Sequence, residues 1–260
     1  MKSKISIITV SYNNLEGLKK TVDSVCSQTL KDYEFIVIDG GSKDGTKDYL
    51  ENSNNKIDHW VSEPDNGVYQ AMNKGIKKAT GDYLIFLNSG DHFFNNKVLE
   101  KNMSCLGTSD IIYFDLQVID KEENYIKEYP SVLSFSYFVK DTLPHPASFI
   151  RKKLFDKIGL YDESLKIVSD WKFFIDAICK NNITYKKMDS VLSTFYLDGM
   201  SSNRSNKSVI VNERQGVLNS EYGAFIQDLE DVIKHRGIIT GLRQSRIINL
   251  LVKLGFLNKI

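Results

Sequence analysis

Three carboxylates stand where apolar runs end. "YEFIVIDGGS" closes on Asp39, Gly40 and Gly41; "HWVSEPDNG" leads to Asp65, Asn66 and Gly67; "YLIFLNSGD" breaks into Asn88, Ser89, Gly90 and Asp91. An ionised carboxylate cannot face a diphosphate without a cation between them, and Mg²⁺ or Mn²⁺ suits hard oxygen ligands with water completing the shell. Asp91 is therefore a candidate metal ligand; the alternative is a helix cap for the "HFFNNKVLEK" that follows. Gly40 and Gly41 let the backbone turn sharply beside a ligand. Asp39 could then accept hydrogen bonds from a nucleobase or ribose, or simply cap its own turn. No Gly-x-x-x-x-Gly-Lys-Ser/Thr and no Gly-x-Gly-x-x-Gly occurs in the chain, which removes the usual signatures of ATPases and dinucleotide-binding proteins.

These residues need a frame that brings them to one place. "ISIITVSY", "YEFIVIDG", "IDHWVSE" and "DYLIFL" alternate with the helical patterns of residues 14–28, 46–52 and 68–80, the signature of βαβ units around a parallel sheet. Leu15, Leu18, Val22, Val25 and Cys26 recur at helical spacing, with Asn13 or Asn14 placed as the cap. In such sheets ligands bind beyond the carboxyl ends of the strands, and the polar clusters "TVSYNN", "IDGGSKDGT", "SEPDNGVY" and "LNSGD" all fall there. Further along, the pattern predicts a helix near 97–107, strands in "DIIYFDLQVID" and "NYIKEYP", and a short strand and helix ended by Gly159. It also predicts a helix over 169–182 capped by Ser169, a strand pair in "ITYKKMDSVLSTFYL", a mobile loop "DGMSSNRSNKS", and helix from Ser208 onward.

Composition sets the bounds. The 260 residues are 42% hydrophobic, with 34 Lys and Arg against 33 Asp and Glu and a net charge of +1, so nothing points to a nucleic-acid partner. Cys26, Cys105 and Cys179 are odd in number and in no metal-ligand spacing, as expected of reduced thiols in a cytoplasm. The start "MKSKISIITVSY" has no signal-peptide pattern and no apolar run approaches a membrane span. The expectation is a cytoplasmic protein, with a peripheral place on the membrane left open.

"ISIITVSYNNLEGLKKTVDSVCSQTLKDYEFIVIDGGSKDGT", "EPDNGVYQAMNKGIKKATGDYLIFLNSGD" and "LYDESLKIVSDWKFFIDA" together resemble a family 2 glycosyltransferase. The resemblance implies an α/β GT-A-type fold: a Rossmann-like, mostly parallel sheet flanked by helices, with a helical C-terminal extension. It implies a catalytic domain over 1–200, divided into a nucleotide-sugar-binding half (1–95) and an acceptor half (96–200), followed by a loop and helical extension (201–260). The implied reaction moves a sugar from a nucleotide-diphospho-sugar, UDP being the implied carrier, to an acceptor hydroxyl with inversion. By motif position Thr9, Val10, Tyr12 and Asp39 would contact the nucleoside. Asp65, Asn66, Gly67, Asn73, Lys74 and Ser89 would line the donor pocket, Asp91 would hold the metal, and Asp170 would be the general base. For Asp170 the residues by themselves also allow helix stabilisation through the macrodipole. Many members carry two or three acids where this chain has Asn88, Ser89 and Gly90 before Asp91. Metal affinity without nucleotide should accordingly be weak.

His145, rigidly framed in "LPHPASF", is expected at the donor phosphate or the acceptor, or in a structural role. Trp171 could stack on a sugar or belong to the core. Arg204 could close over the departing diphosphate or stay solvated. After Asp231 the chain has no acids, while Lys234, Arg236, Arg243, Arg246, Lys253 and Lys259 accumulate around Ile247, Leu250, Leu251, Leu254 and Leu257. Residues 236–260 thus read as a basic amphipathic helix for an anionic membrane surface, or as one packed on the catalytic domain or a homodimer partner. A glycan or lipid-linked acceptor would suit membrane proximity. The rival reading is a catalytically weak nucleotide-sugar-binding or scaffolding protein; a sugar-phosphate nucleotidyltransferase would need a Gly-rich loop with a lysine that "TVSYNNLEG" lacks.

Overall fold

The computed structural model describes residues 4–53, 56–120, 123–197 and 199–253. The chain divides into two compact units, Met1–Glu213 and Arg214–Ile260. The first opens with β1 (Ile5–Ser11), α1 (Leu15–Cys26), β2 (Tyr33–Asp39), α2 (Thr46–Glu51), β3 (His59–Ser62), α3 (Val68–Lys78) and β4 (Tyr83–Phe86). It continues through β5 (His92–Phe93), α4 (Val98–Asn102), β6 (Ile111–Ile119), β7 (Asn124–Lys127), α5 (Phe135–Lys140), β8 (Ser148–Arg151), α6 (Lys153–Ile158), α7 (Ser169–Ile175) and β9 (Tyr185–Tyr196). Among the described residues these strands form one sheet of order β3-β2-β1-β4-β8-β6-β9-β5, with β7 beside β6.

The first four strands are parallel because helical crossovers separate them. β1 is buried at all seven positions and β4 at all four, as strands covered on both faces must be. α1 covers the sheet with Leu18, Val22 and Val25, and its cap is Asn14, whose Oδ1 accepts from Gly17 N. α3 comes closer still: a Cβ at Gly75 would lie 2.5 Å from Ile8 Cγ2, so only glycine permits this helix–strand approach. Past β4 the sheet turns mixed, β8 pairing antiparallel to both β4 and β6 while β9 runs parallel to β6.

Several expectations are corrected. "ITYKKMDSVLSTFYL" holds one long strand, β9, instead of a strand pair. Within it the register jumps from Phe114↔Met188 to Asp115↔Val191, a bulge that keeps the strand continuous. The helix over 169–182 is the short α7 followed by a π-helical turn at Asp176–Lys180. Ser169 is its first residue and not its cap; Val168 holds the cap position, and Ser169 Oγ is buried without a hydrogen-bond partner. The stretch expected as a mobile loop contains a 3₁₀ turn, Arg204–Asn206, where Asn203 Oδ1 accepts from Ser205 N; its residue 198 lies outside the described residues.

α8 (Lys207–Glu221) begins in the first unit and ends in the second. Near the middle of α8 the Glu213 carboxylate accepts from the backbone N–H groups of Lys166 and Ile167, binding the helix to the loop before α7. The second unit contains α9 (Gly223–Gln244) and α10 (Arg246–Lys253), broken at Ser245. The expected helix beyond, with Leu254, Leu257 and Lys259, lies outside the described residues.

Candidate active site

The carboxyl ends of β1, β2 and β4 and the loops before α3 and α7 enclose a cleft of about 790 Å³, within the range of small-molecule sites. One wall is Val10, Ser11, Tyr12, Gly40, Gly41, Lys43, Pro64, Asp65 and Gly67; the floor is the turn Asn88–Asp91; the far wall holds His145, Lys166, Ile167 and Asp170, with Phe195 and Tyr196 at the end of β9.

The first wall is built by interlocked loops. Asn13, in the left-handed region at φ 48°, donates its N–H to Ser42 Oγ, and its Oδ1 accepts from Lys43 N. Asp44 accepts from Leu15 N at 2.8 Å, holding the entrance to α1. Asp39 is fully buried, and its carboxylate accepts from Ser42 N, Ser42 Oγ and Ser62 Oγ. It organises the turn, while Gly40 and Gly41 face the cleft. A Cβ at Gly40 would come 2.7 Å from Asp65 Oδ2, so glycine there is what lets Asp65 approach. Tyr12 stands at the rim, 67% exposed.

The turn after β4 hangs on a residue that the sequence did not single out. Thr21 is buried in α1; its Oγ1 accepts from Gly90 N at 3.0 Å and lies 2.7 Å from the Asp91 carbonyl, to which it donates. Gly90 adopts φ 106°, which only glycine takes without strain. Asn14 Nδ2 donates to Ser89 O, so the start of α1 is bound to the turn as well as capped. Asp91 lines the cleft and is 6% exposed.

On the far wall, Asp170 is in the first turn of α7 with its side chain 15% exposed. His145 Nδ1 lies 3.0 Å from Oδ2, and the Tyr69 hydroxyl lies 2.8 Å from Oδ1. Tyr69 also meets the Ile167 carbonyl; it has one proton, and the anionic carboxylate is the stronger acceptor. Burial would raise the Asp170 carboxyl, but hydrogen bonds from His145, Tyr69 and the Trp171 backbone hold it below its ordinary value. The carboxylate is thus ionised and oriented at neutral pH. Tyr161 and Tyr69, pushed well above the ordinary phenol value by burial and then by the Asp170 charge, stay protonated.

Of the predicted donor-pocket residues, Val10, Tyr12, Gly40, Asp65, Gly67 and Ser89 line the cleft, with Asp91, His145 and Asp170. The others do not. Thr9 is buried and donates to Leu87 O. Asn73 is buried in a clamp, Nδ2 donating to Tyr161 O and Glu163 and Oδ1 accepting from Tyr161 N. Lys74 pairs with Glu63 at 2.8 Å, and Asn66 N–H is held by Gln70. Trp171 is core, 1% exposed, with Nε1 donating to Phe138 O, so it stacks on no sugar. Arg204 is exposed in the 3₁₀ turn. Lys43 and Lys166 also line the cleft; the sequence signals them only by their nearness to Gly41, two positions before Lys43, and to Asp170, four positions after Lys166.

A parallel half-sheet joined to a mixed half-sheet, with a cleft at the carboxyl ends of its strands, defines a GT-A-type sugar-nucleotide fold. TarS of S. aureus (residues 1–349, in complex with UDP) superposes with TM-score 0.61 at 20% identity, over 74% of this chain and 60% of that one. The chain thus spans about 60% of that protein's resolved length. A mannosyltransferase of Pyrobaculum calidifontis, PcManGT, in complex with GDP-Man and Mn²⁺, gives 0.58 at 13% identity, over 78% of this chain and 59% of that one. The glycosyl transferase family 2 profile matches residues 6–159. An uncharacterized glycosyltransferase of Mycobacterium tuberculosis is 35% identical over 84% of this chain and 85% of its own. A PGL/p-HBAD biosynthesis glycosyltransferase of Mycobacterium bovis is 32% identical over 76% and 78%. The chain belongs to glycosyl transferase family 2.

The family resemblance implies a divalent cation. Among the described residues no group of three or more His, Cys, Asp or Glu side chains could cage one. The turn does present hard oxygen donors: the Asp91 carboxylate, and Asn88 Oδ1, which is buried with no hydrogen-bond partner. That donor set fits Mg²⁺ or Mn²⁺ held jointly with a substrate diphosphate and water, and does not fit a stand-alone metal site.

Proposed function

We propose that the chain is an inverting glycosyltransferase that moves a sugar from a nucleotide-diphospho-sugar, UDP-linked by preference, to a hydroxyl of a glycan or lipid-linked acceptor. The observation carrying this reading is the Asp170 carboxylate, oriented by two hydrogen bonds and facing the same cleft as the Asn88–Asp91 turn. Asp170 accepts the proton of the acceptor hydroxyl as its oxygen bonds to the anomeric carbon from the face opposite the leaving group. The bond from that carbon to the diphosphate oxygen breaks, and the nucleoside diphosphate leaves. Asp91 and Asn88 Oδ1 would hold Mg²⁺ or Mn²⁺, whose chemistry when bound is to neutralise charge on the leaving diphosphate. Gly40, Gly41 and Tyr12 admit the nucleoside, and Lys43 and Lys166 add positive charge to a cleft otherwise lined by Asp65, Asp91 and Asp170.

The test is calorimetric binding of UDP, GDP, CDP and dTDP with and without Mn²⁺, paired with nucleoside diphosphate release by Asp170→Asn. The expected result is one preferred nucleotide whose tight binding needs Mn²⁺. Turnover of the variant should fall about 10²- to 10⁴-fold, the scale of a lost general base, with nucleotide affinity unchanged. Metal-dependent binding without wild-type turnover of any offered donor would favour the non-catalytic rival.

For residues 236–260 the reading is a basic element that brings the enzyme to the cytoplasmic face of an anionic membrane, where a lipid-linked acceptor resides. Its support is the run of cations without acids after Asp231 and the exposure of Ile239, Leu242 and Ile247. No helix among the described residues is long and apolar enough to cross a membrane.

A further inference from the structure

Both ring nitrogens of His145 are engaged by protein groups in the cleft. Nδ1 lies 3.0 Å from Asp170 Oδ2, and Nε2 lies 3.2 Å from Asn88 Nδ2. A carboxylate only accepts, so Nδ1 carries the proton between them; in the neutral ring Nε2 is then a lone pair that accepts from the Asn88 amide. The same assignment turns Asn88 Oδ1 away from the ring, consistent with its lacking a hydrogen-bond partner. His145 is itself held: it begins a 3₁₀ turn, Pro146 and Ala147 behind it are buried, and Ser148 Oγ donates to Pro144 O at 2.7 Å. With its side chain 18% exposed, it is a fixed post between the start of α7 and the turn after β4.

The geometry points to His145 as a positioning residue for the transfer reaction: through Nδ1 it aims the Asp170 carboxylate, and through Nε2 it sets that carboxylate at a fixed distance from the Asn88–Asp91 turn. This rests on the reading of Asp170 as the base. The sequence allows His145 a place at the donor phosphate or the acceptor, or a structural role; with both nitrogens engaged by protein groups, it acts through Asp170. A base and a leaving-group site on opposite sides of one carbon must keep their separation, and a displacement of about 1 Å can lower a rate by about 10²-fold. Tyr69 from α3 faces the other carboxylate oxygen, and Lys43, Asp65, Asp91 and Lys166 are the remaining charged groups lining the cleft.

Two measurements test this. Nitrogen-15 spectra of the histidine rings at pH 8, with His145 among four histidines identified by its loss in His145→Asn, should show Nδ1 protonated and Nε2 bare. Asp170→Ala should return the ring to the Nε2-protonated form. A wild-type ring protonated at Nε2 overturns the proposal even if no donor is turned over.

The second is kinetic, with UDP-GlcNAc, UDP-glucose and GDP-mannose as probes and nucleoside diphosphate release as the signal. Asparagine places its amide N–H where Nδ1 stands, whereas glutamine reaches the Nε2 position. On any probe turned over, His145→Asn should stay within about 10-fold of wild type in kcat and His145→Gln should lose about 10²-fold, with UDP affinity unchanged in both. Equal losses in the two variants would mean a structural role only. Normal turnover by Asp170→Asn would instead overturn the base assignment and leave the tautomer result standing, so the two failures are distinguishable.

Discussion

Asp170 is useful as a base only while ionised, and its surroundings act in opposite directions. Burial favours the neutral acid; the hydrogen bond from His145, followed by those from Tyr69 and the Trp171 backbone, offsets it. A carboxyl depressed in the folded chain adds stability above its unfolded value, and loses that stability as pH falls through the folded one. For catalysis, the acid side of the wild-type rate profile should stay flat through the neutral range and show no loss from Asp170 above the ordinary carboxylate value of 3.8. His145→Ala leaves burial opposed by less, so its acid limb should move up in pH; an unmoved limb in kcat measured from pH 4 to 8 would contradict the assignment. Asp91 belongs to the same scale: Asp91→Ala should abolish the metal dependence of nucleotide binding in calorimetry. Unchanged metal dependence would leave Asp91 as a turn residue only.

At the scale of elements, the cleft owes its floor to contacts between α1 and the turn after β4. Thr21→Val keeps the shape of the side chain and removes the hydroxyl that accepts from Gly90 N and donates to Asp91 O. It should lower thermal stability by about 1–3 kcal/mol, the cost of unsatisfied buried polar groups, and weaken Mn²⁺-dependent nucleotide binding more than metal-free binding. Gly75→Ala tests the packing of α3 on β1. Its Cβ would meet Ile8 Cγ2 at 2.5 Å, an overpacking that should destabilise by about 1–3 kcal/mol in chemical denaturation. The alternating helices and strands of residues 5–86 are legible in the sequence because strands and helices differ in hydrophobic period and polar turns separate them. β9 is not: "ITYKKMDSVLSTFYL" reads as a strand pair, and only the register with the partner strand β6 reveals one strand with a bulge.

For the whole molecule, two compact units divide the work proposed here. The first contains the sheet and the cleft; the second contains α9 and α10, with Phe225, Val232, Ile233, Ile239, Leu242 and Ile247 all exposed. If residues 236–260 serve a membrane surface, the full chain should float with vesicles containing anionic phosphatidylglycerol at low salt and remain with the soluble fraction at high salt. A chain ending at residue 235 should not float in either condition. Equal flotation of the two chains would remove the membrane reading.

The sequence by itself determined the βαβ order, the rim on which the polar clusters fall and the family, because periodicity, caps and glycine-bearing turns are local properties. It could not divide that rim into residues that face a ligand and residues that build the wall. Asp39, Asn73 and Trp171 were as plausible as Gly40, Asp65 and Asp170 until three-dimensional contacts took up their polar atoms. The tertiary structure also brought His145, Asn88 and Tyr69 to Asp170. Those partners are separated by 25 to 101 positions along the chain, and hydrogen bonds across such distances leave no period in a sequence to read.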